Sequence, residues 1–266
     1  MGWAGYLLSG TYRRRLRANA ACAGIGPSAR RAAVAEAGRM VAELPRLWLR
    51  PATRLLEPAV QWQHAELIEA ALTAGRGLVM LTPHLGAFEV IAQAYAERFG
   101  ARQPMTALYR PARKAWLREL ETTARDRPGL LTAPASLAGV RQMIRALRQG
   151  QSVGLLPDQV PPDGMGVWAP FFGQPAYTMT LASRLALQTG ADVLLMLGER
   201  MPHAAGWRIH VFELPEPLPA AAAFAGDDNA HQTECAAVMN RAMEFLIRQC
   251  PTQYLWGYHR YKAPRR

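Results

Sequence analysis

With 266 residues, half of them hydrophobic, the chain can bury a sizeable core, and we expect a single domain over residues 1–266. Its net charge of +11 implies an anionic partner, which on charge alone is a nucleic acid, a phospholipid surface or an acidic carrier protein. The three cysteines are widely spaced and lack a CxxC or His-rich companion, which argues against a metal site and indicates a reducing compartment.

The first fifty residues are strongly basic. They hold nine arginines against Glu36 and Glu43, so +7 of the charge excess lies here. Residues 3–8 are largely apolar, but they are too few for a membrane-spanning helix, which needs about 20 apolar residues. They do not resemble a signal peptide either, because the positive charges follow this stretch instead of preceding it. Residues 32–48 place apolar side chains at helical spacing. Residues 1–50 are therefore predicted to form a basic, helical segment that lies near a membrane or is simply a solvated face.

From residue 78 onward, strand patterns alternate with helical patterns. The predicted strands are Leu78–Thr82, Met105–Tyr109, Ser152–Leu156, Val193–Gly198 and Trp207–Leu214, and the predicted helices cover 86–98, 113–126, 136–149, 178–189 and His231–Cys250. The stretch over 215–228 contains three prolines and is predicted to be a connecting loop on the surface. This alternation predicts an α/β fold with a mixed, largely parallel sheet flanked by helices.

A histidine follows the first of these strands, and a glutamate lies five residues later, at the start of the next helix. The Glu89 carboxylate can accept the Nδ1–H of His84, which fixes the tautomer and leaves Nε2 free to take a proton from a hydroxyl. Since the motif contains no serine or cysteine nucleophile, we expect the hydroxyl to belong to a substrate. The alternative is that His84 caps the helix and Glu89 is a first-turn acid favoured by the helix dipole.

Four further segments follow this histidine in order. They are Leu108–Pro111 (LYRP), Gly154–Gln159 (GLLPDQ), Ala169–Ala176 (APFFGQPA) and Gln253–Arg260 (QYLWGYHR). Together with the strand-His-x4-Glu motif, their order and spacing closely resemble the late acyltransferases of lipid A biosynthesis, the lauroyl and myristoyl transferases within the lysophospholipid acyltransferase superfamily. The resemblance covers nearly the whole chain, from about Arg13 to Lys262.

The resemblance implies a role for each matching residue. His84 is similar to the family's general base, and Glu89 is similar to the acid that orients it. Arg110 looks like the family's arginine for an acceptor phosphate or the thioester oxyanion, which suits the forked donors of a guanidinium, although a structural ion pair is the alternative. Asp158 resembles the acid of the third motif, which holds Arg110 or an acceptor group unless it caps a turn. Gly173 ends a Phe-Phe-Gly stretch that resembles the loop beside the acyl pocket, although the two phenylalanines also suit a core.

The resemblance implies an O-acyltransferase that moves a fatty acyl chain from acyl carrier protein to a hydroxyl of Kdo-modified lipid IVA. Such transfer needs a base, turn amides or Arg110 to stabilise the oxyanion, and an apolar channel. No cofactor is expected, and the partners are acyl carrier protein, a lipid acceptor and a membrane surface, with no nucleic acid. Another lipid acceptor (an ornithine lipid, a lysophospholipid or a glycolipid), a thioesterase-like hydrolase and a membrane-docking protein without turnover stay open as alternatives.

Members of this family typically begin with one transmembrane anchor before the arginine cluster. At that place the present sequence has only the short apolar stretch from Trp3 to Leu8. The resemblance therefore implies the cytoplasmic face of the inner membrane. The chain would reach it through an anchor that precedes the given sequence or peripherally through its basic and aromatic N-terminus.

Overall fold

A computed structural model describes residues 1–109, 112, 114, 118, 121, 124–125 and 127–265. The strands are β1 (Gln61–Gln63), β2 (Leu78–Leu81), β3 (Met105–Tyr109), β4 (Leu130–Pro134), β5 (Ser152–Leu155), β6 (Gly166–Phe171), β7 (Gln174–Met179), β8 (Asp192–Arg200) and β9 (Trp207–Glu213). The helices are α1 (Gly2–Leu8), α2 (Gly10–Cys22), α3 (Pro27–Trp48), α4 (Glu66–Ala74), α5 (Phe88–Phe99), α6 (Leu137–Arg148), α7 (Leu181–Thr189) and α8 (Asp228–Gln249).

Within the described residues, seven strands form one central sheet in the order β1-β9-β8-β2-β5-β3-β4. The five strands from β8 to β4 are parallel, β9 pairs antiparallel with β8, and β1 pairs parallel with β9. Strands β6 and β7 form a separate antiparallel hairpin. The predicted α/β fold with a mixed, largely parallel sheet is therefore confirmed.

The sheet is buried on both faces, which explains why its central strands are continuous apolar runs. In β2, Val79 and Leu81 face one core layer, together with apolar side chains of α2, α6, α7 and α8. Leu78 and Met80 face the other layer, which is built from α4 and α5. Because successive side chains of a strand point to opposite faces, a strand between two helical layers needs apolar residues at every position.

The N-terminal helices are fastened to the remainder of the chain by specific contacts. Helix α1 crosses α3 at Gly2 and Gly38, where a Cβ on either residue would collide with the backbone of the other helix. In α2, the Asn19 amide donates to the carbonyl of Trp256 at 2.7 Å and to that of Tyr258 at 2.6 Å. None of the helices in the described part of the chain is both long and apolar enough to cross a membrane. The division into one domain with a membrane-proximal segment stays a prediction.

The predicted strands from residue 78 onward and four of the five predicted helices are confirmed, with shifts of up to three residues at their ends. The helix predicted for 178–189 begins at Leu181 because β7 continues to Met179. The helix predicted for 113–126 lies mostly outside the described residues. Helices α1, α2 and α3 lie within the predicted helical segment over residues 1–50. Sequence analysis had assigned no element to α4, β1, β4 or the β6–β7 hairpin.

Candidate active site

His84 and Asp158 lie side by side at the carboxyl end of the central sheet. The last paired residues of the parallel neighbours β2 and β5 are Leu81 and Leu155, and the two side chains follow three residues after them. Nδ1 of His84 lies 2.7 Å from Oδ1 of Asp158, and the backbone N–H of His84 donates to Oδ2 of the same carboxylate at 3.0 Å. Because an ionised carboxylate only accepts hydrogen bonds, Nδ1 carries the proton and Nε2 has the free lone pair.

This contact corrects one prediction. Glu89 was expected to accept the Nδ1–H of His84, and that expectation is wrong because Asp158 occupies the position. The Glu89 carboxylate instead pairs with Arg125 Nη2 at 3.2 Å. Glu89 still lies near enough for its charge to act on the imidazole, so its part in catalysis stays a prediction.

The two partners shift each other's pKa in opposite directions. Burial lowers the pKa of His84, but the Asp158 carboxylate, assisted by Glu89, outweighs burial and raises it above the ordinary value. Burial likewise raises the pKa of Asp158, and the His84 ring and backbone N–H together with the Arg260 charge lower it below its ordinary value. Asp158 is therefore ionised at neutral pH, and His84 is a stronger base than a free imidazole.

Buried groups from the C-terminal segment lie around Asp158. Burial raises the pKa of Tyr254 well above its ordinary value, and the negative charge of Asp158 raises it further, so the phenol keeps its proton. Arg260 is only 2 % exposed and donates to the Tyr177 carbonyl and the Thr178 hydroxyl, both at 2.7 Å. The charge of its guanidinium adds to the His84 contacts that keep the buried Asp158 carboxylate ionised.

The turn that carries His84 packs tightly against β8 and the same C-terminal segment. Gly86 has φ +59°, and a Cβ there would lie 2.1 Å from the Gly198 carbonyl oxygen, so only glycine fits. The N–H of Gly86 donates to the Gln253 carbonyl at 3.0 Å, and the carbonyl of His84 accepts from the N–H of Leu255 at 3.1 Å. The last motif of the chain therefore fixes the catalytic turn.

The turn amides were one candidate for stabilising the oxyanion, and the structure argues against them. The amide of His84 donates to Asp158, as described, and that of Leu85 to the Pro83 carbonyl at 2.7 Å. The amides of the next two residues also donate, to carbonyls of the C-terminal segment and of β8. All four amides of the turn are therefore engaged within the fold.

Nε2 of His84 also has a neighbour. The side-chain amide nitrogen of Gln159 lies 3.0 Å from it, which places an N–H donor against the lone pair. The ring of Phe88 packs beside the imidazole with a centroid distance of 5.0 Å. These contacts and Asp158 hold the imidazole in one orientation, and its side chain is 22 % exposed.

A cavity of about 410 Å³ opens at His84 between α5, β3 and α6. Its walls are mainly apolar and include Phe88, Leu108, Leu137, Val140, Met165, Met179 and Leu181. The polar groups on its walls include His84, Glu89, Arg125 and Gln159. A cavity of this size, largely apolar with a few polar groups, suits an extended apolar chain.

A second cavity of about 660 Å³ shares the wall residues His84 and Gln159 with the first. It lies between α1, α3 and residues 255–258, and its walls include His84, Asp158 and Gln159. His84 and Gln159 therefore stand between two apolar spaces.

The remaining predicted site residues lie elsewhere or outside the described part of the chain. Arg110 lies outside the described residues, so its predicted role stays untested. Gly173 forms the turn of the β6–β7 hairpin with φ +72°, and the neighbouring Phe172 N–H donates to Glu244 on α8 at 2.6 Å. Gly173 does not line either cavity at His84, so it is not brought together with the other site residues.

Within the part of the chain that the structure describes, no three His, Cys, Asp or Glu side chains are grouped to hold a metal ion. Whether the reaction uses a cofactor is not decided by this observation, and the prediction of none stays a prediction.

Residues 4–263 match the family model described as bacterial lipid A biosynthesis acyltransferase. The chain belongs to this family. It is 26 % identical over 230 residues to a lipid A biosynthesis palmitoleoyltransferase of Escherichia coli K12, which covers 85 % of this chain and 69 % of that protein. It is 29 % identical over 189 residues to the lipid A biosynthesis lauroyltransferase of the same organism, over 71 % of this chain and 57 % of that protein. The lipid A acyltransferase assignment makes this chain an acyltransferase enzyme.

Sequence analysis of this lipid A acyltransferase missed the roles of four residues of the site. Gln159 was part of a quoted motif but had no role assigned to it, and the same holds for Tyr254 and Arg260. Arg125, which lines the cavity with a 20 % exposed side chain, was not considered. An arginine and a tyrosine in one short C-terminal motif were the available signal. The structure shows that both are buried, and a buried charge needs a partner.

Proposed function

We propose that the protein transfers a fatty acyl group from acyl carrier protein to a hydroxyl of Kdo-modified lipid IVA, with His84 as the general base. The observation that carries the proposal is the 2.7 Å contact between His84 Nδ1 and Asp158 at the end of an apolar cavity. The lipid A acyltransferase family supports acyl transfer to lipid A. The donor, the exact acceptor and the residue roles are the proposed parts.

In the proposed reaction, Nε2 of His84 takes the proton of the acceptor hydroxyl while the oxygen attacks the thioester carbonyl. The new C–O bond forms, the C–S bond breaks, and the imidazolium returns its proton to the leaving thiolate. Asp158 is a positioning residue that keeps the proton on Nδ1 and stabilises the imidazolium. General base catalysis of this kind contributes about 10²- to 10⁴-fold to the rate.

Glu89 acts in this proposal through charge and through Arg125. Its carboxylate raises the pKa of His84, as described, and holds the guanidinium of Arg125 on the cavity wall. A guanidinium there can stabilise the oxyanion or bind an acceptor phosphate, the two tasks that the sequence assigned to Arg110. The turn amides are engaged, which favours a side chain for this task.

The acyl chain is assigned to the 410 Å³ cavity. Each methylene buried there contributes about 0.8 kcal/mol, so a long chain gains most of its affinity from the cavity. The basic surface of the protein, with its net charge of +11, suits an acidic acyl carrier protein.

The N-terminal helices are proposed to dock on a membrane surface. Helix α1 exposes Trp3, Leu7 and Leu8, and the residues that follow it include the arginines at 13–15 and 17. Exposed apolar side chains beside a cluster of arginines favour an anionic lipid surface. The cytoplasmic face of the inner membrane, where lipid A precursors would be met, is the proposed location.

The test is to incubate the purified protein in detergent with lauroyl- and myristoyl-acyl carrier protein, with and without Kdo-modified lipid IVA, and to measure products by mass spectrometry. We expect acylated lipid that depends on the acceptor and disappears in His84→Ala. The matched control is His64→Ala, because His64 is a 63 % exposed histidine remote from the cavities. Free fatty acid formed equally without acceptor would indicate a hydrolase, and no turnover would direct the search to other lipid acceptors.

A further inference from the structure

The amide of Gln159 occupies the position at which an acceptor hydroxyl would have to bind. A general base must lie within hydrogen-bond reach of the proton that it removes, about 2.6–3.2 Å between heavy atoms. The amide nitrogen of Gln159 is 3.0 Å from Nε2 of His84. In this structure the lone pair of the base is therefore already hydrogen-bonded.

The neighbourhood of Gln159 makes this contact an ordered one. Gln159 directly follows Asp158, whose carboxylate is fixed by the ring and the backbone of His84. On the other side, the N–H of Val160 donates to the Tyr258 hydroxyl at 2.9 Å. The backbone on both sides of Gln159 is thus held, and its side chain is directed at the imidazole.

Gln159 also lines both cavities at His84. A small molecule such as water that reached the thioester from either cavity would need Nε2 to activate it. An amide N–H bonded to the lone pair prevents that until a hydroxyl with additional binding energy displaces it.

We propose that Gln159 is a displaceable cap on the catalytic base, which suppresses water attack on the acyl donor until the lipid acceptor binds. The inference rests on the proposed function for its transfer step, and Gln159 is a positioning residue in it. In the suppressed side reaction, water gives its proton to Nε2, its oxygen forms the C–O bond, and the C–S bond breaks. The thiolate takes the proton from the imidazolium, which leaves a free fatty acid and a thiol.

The first measurement does not depend on acyl transfer. The free lone pair of an imidazole nitrogen attacks a carbonyl carbon of diethyl pyrocarbonate, so we expect Gln159→Ala to speed modification of His84. One neutral hydrogen bond contributes about 1 kcal/mol net, which corresponds to about a fivefold faster reaction. Peptide mapping by mass spectrometry compares His84 with His64, the exposed histidine, in the same sample. Equal rates of His84 modification in the wild type and in Gln159→Ala would overturn the proposal.

Two controls separate a lost cap from a loosened fold. Gln249→Ala removes an exposed glutamine side chain on α8, outside both cavities, and is expected to leave the rate at His84 unchanged. His210 has an 18 % exposed side chain paired with Glu199, so faster modification there reports a loosened fold. If Gln159→Ala loosens the fold in this way, Gln159→Ser is used in its place because it keeps a polar side chain. Equal rates of His84 modification in the wild type and in Gln159→Ser would then overturn the proposal.

The second measurement uses the acyl donor. We expect Gln159→Ala to raise the ratio of free fatty acid to acylated lipid about fivefold, again the value of one hydrogen bond. An unchanged ratio would overturn the cap, because a residue that stabilises the oxyanion affects both reactions equally. If the wild type acylates no lipid but Gln159→Ala still speeds modification of His84, the proposed function is wrong. The hydrogen bond of Gln159 to the base is then still supported.

Discussion

Asp158→Asn tests the geometry of the base most directly. The backbone N–H of His84 donates to Oδ2 of Asp158, so the asparagine must turn its carbonyl oxygen toward that N–H. Its NH₂ group then takes the place of Asp158 Oδ1, which lies 2.7 Å from Nδ1 of His84. The NH₂ group therefore faces Nδ1. Because a donor now faces Nδ1, the proton of the neutral imidazole moves to Nε2, and the base has no lone pair for the acceptor hydroxyl.

The expected loss follows from that tautomer. In the serine protease triad the equivalent exchange costs about 10⁴-fold in kcat, and general base catalysis as a whole is worth about 10²- to 10⁴-fold. We therefore expect kcat to fall by about 10²- to 10⁴-fold, or about 2.7 to 5.4 kcal/mol at 1.36 kcal/mol for each factor of ten. The assay is acylated lipid formed from acyl carrier protein thioester, measured at saturating acceptor.

The pH profile gives a second readout. In the wild type the pKa of His84 is raised by Asp158, so kcat/KM should fall, as pH decreases, through a value above the ordinary histidine pKa of about 6.5. In Asp158→Asn the carboxylate charge is absent, so burial lowers the pKa of His84. The acid limb of the residual activity should therefore shift to lower pH. Asp163→Asn is the matched control, because it removes an exposed carboxylate from the same loop.

The reasoning is refuted if folded Asp158→Asn keeps activity within about threefold of the wild type, well below the general-base contribution, with an unchanged acid limb. Thermal unfolding of both variants checks that the protein is folded, since Asp158 is also the buried counter-charge near Arg260.

Three further outcomes are expected. Glu89→Gln should reduce acyl transfer because it releases Arg125. In pH profiles of both variants, it should shift the acid limb to lower pH by less than Asp158→Asn does. An equal or larger shift would return the orienting role to Glu89. Val140→Phe narrows the apolar cavity and should shift the preference toward shorter acyl chains, by about fourfold for each methylene excluded, in competition assays with mixed donors. Leu7→Glu with Leu8→Glu should weaken sedimentation with vesicles containing anionic lipid while activity in detergent is kept, and undiminished sedimentation would contradict docking through α1.

Much of the fold could be predicted from the sequence because the central strands and their helices carry strong periodic signals. Continuous apolar runs such as Leu78–Leu81 indicate a strand buried on both faces, and the helices between the strands indicate a parallel sheet. The missed elements have weak signals. Strand β1 is only three residues long, and the β6–β7 hairpin includes prolines at positions 170 and 175.

The sequence by itself determined that a histidine follows a buried strand, that an acid lies on the next helix, and that no serine or cysteine nucleophile is in the motif. Local spacing settles those points because they concern one continuous stretch of chain. Only the tertiary structure decided which carboxylate bonds the imidazole. Asp158 is 74 residues away from His84 in sequence, and it becomes the neighbour because β2 and β5 are adjacent and parallel, with Leu81 opposite Leu155. Periodicity predicts strands but not their order, so a contact between the ends of two neighbouring strands is decided by the packing of the whole sheet.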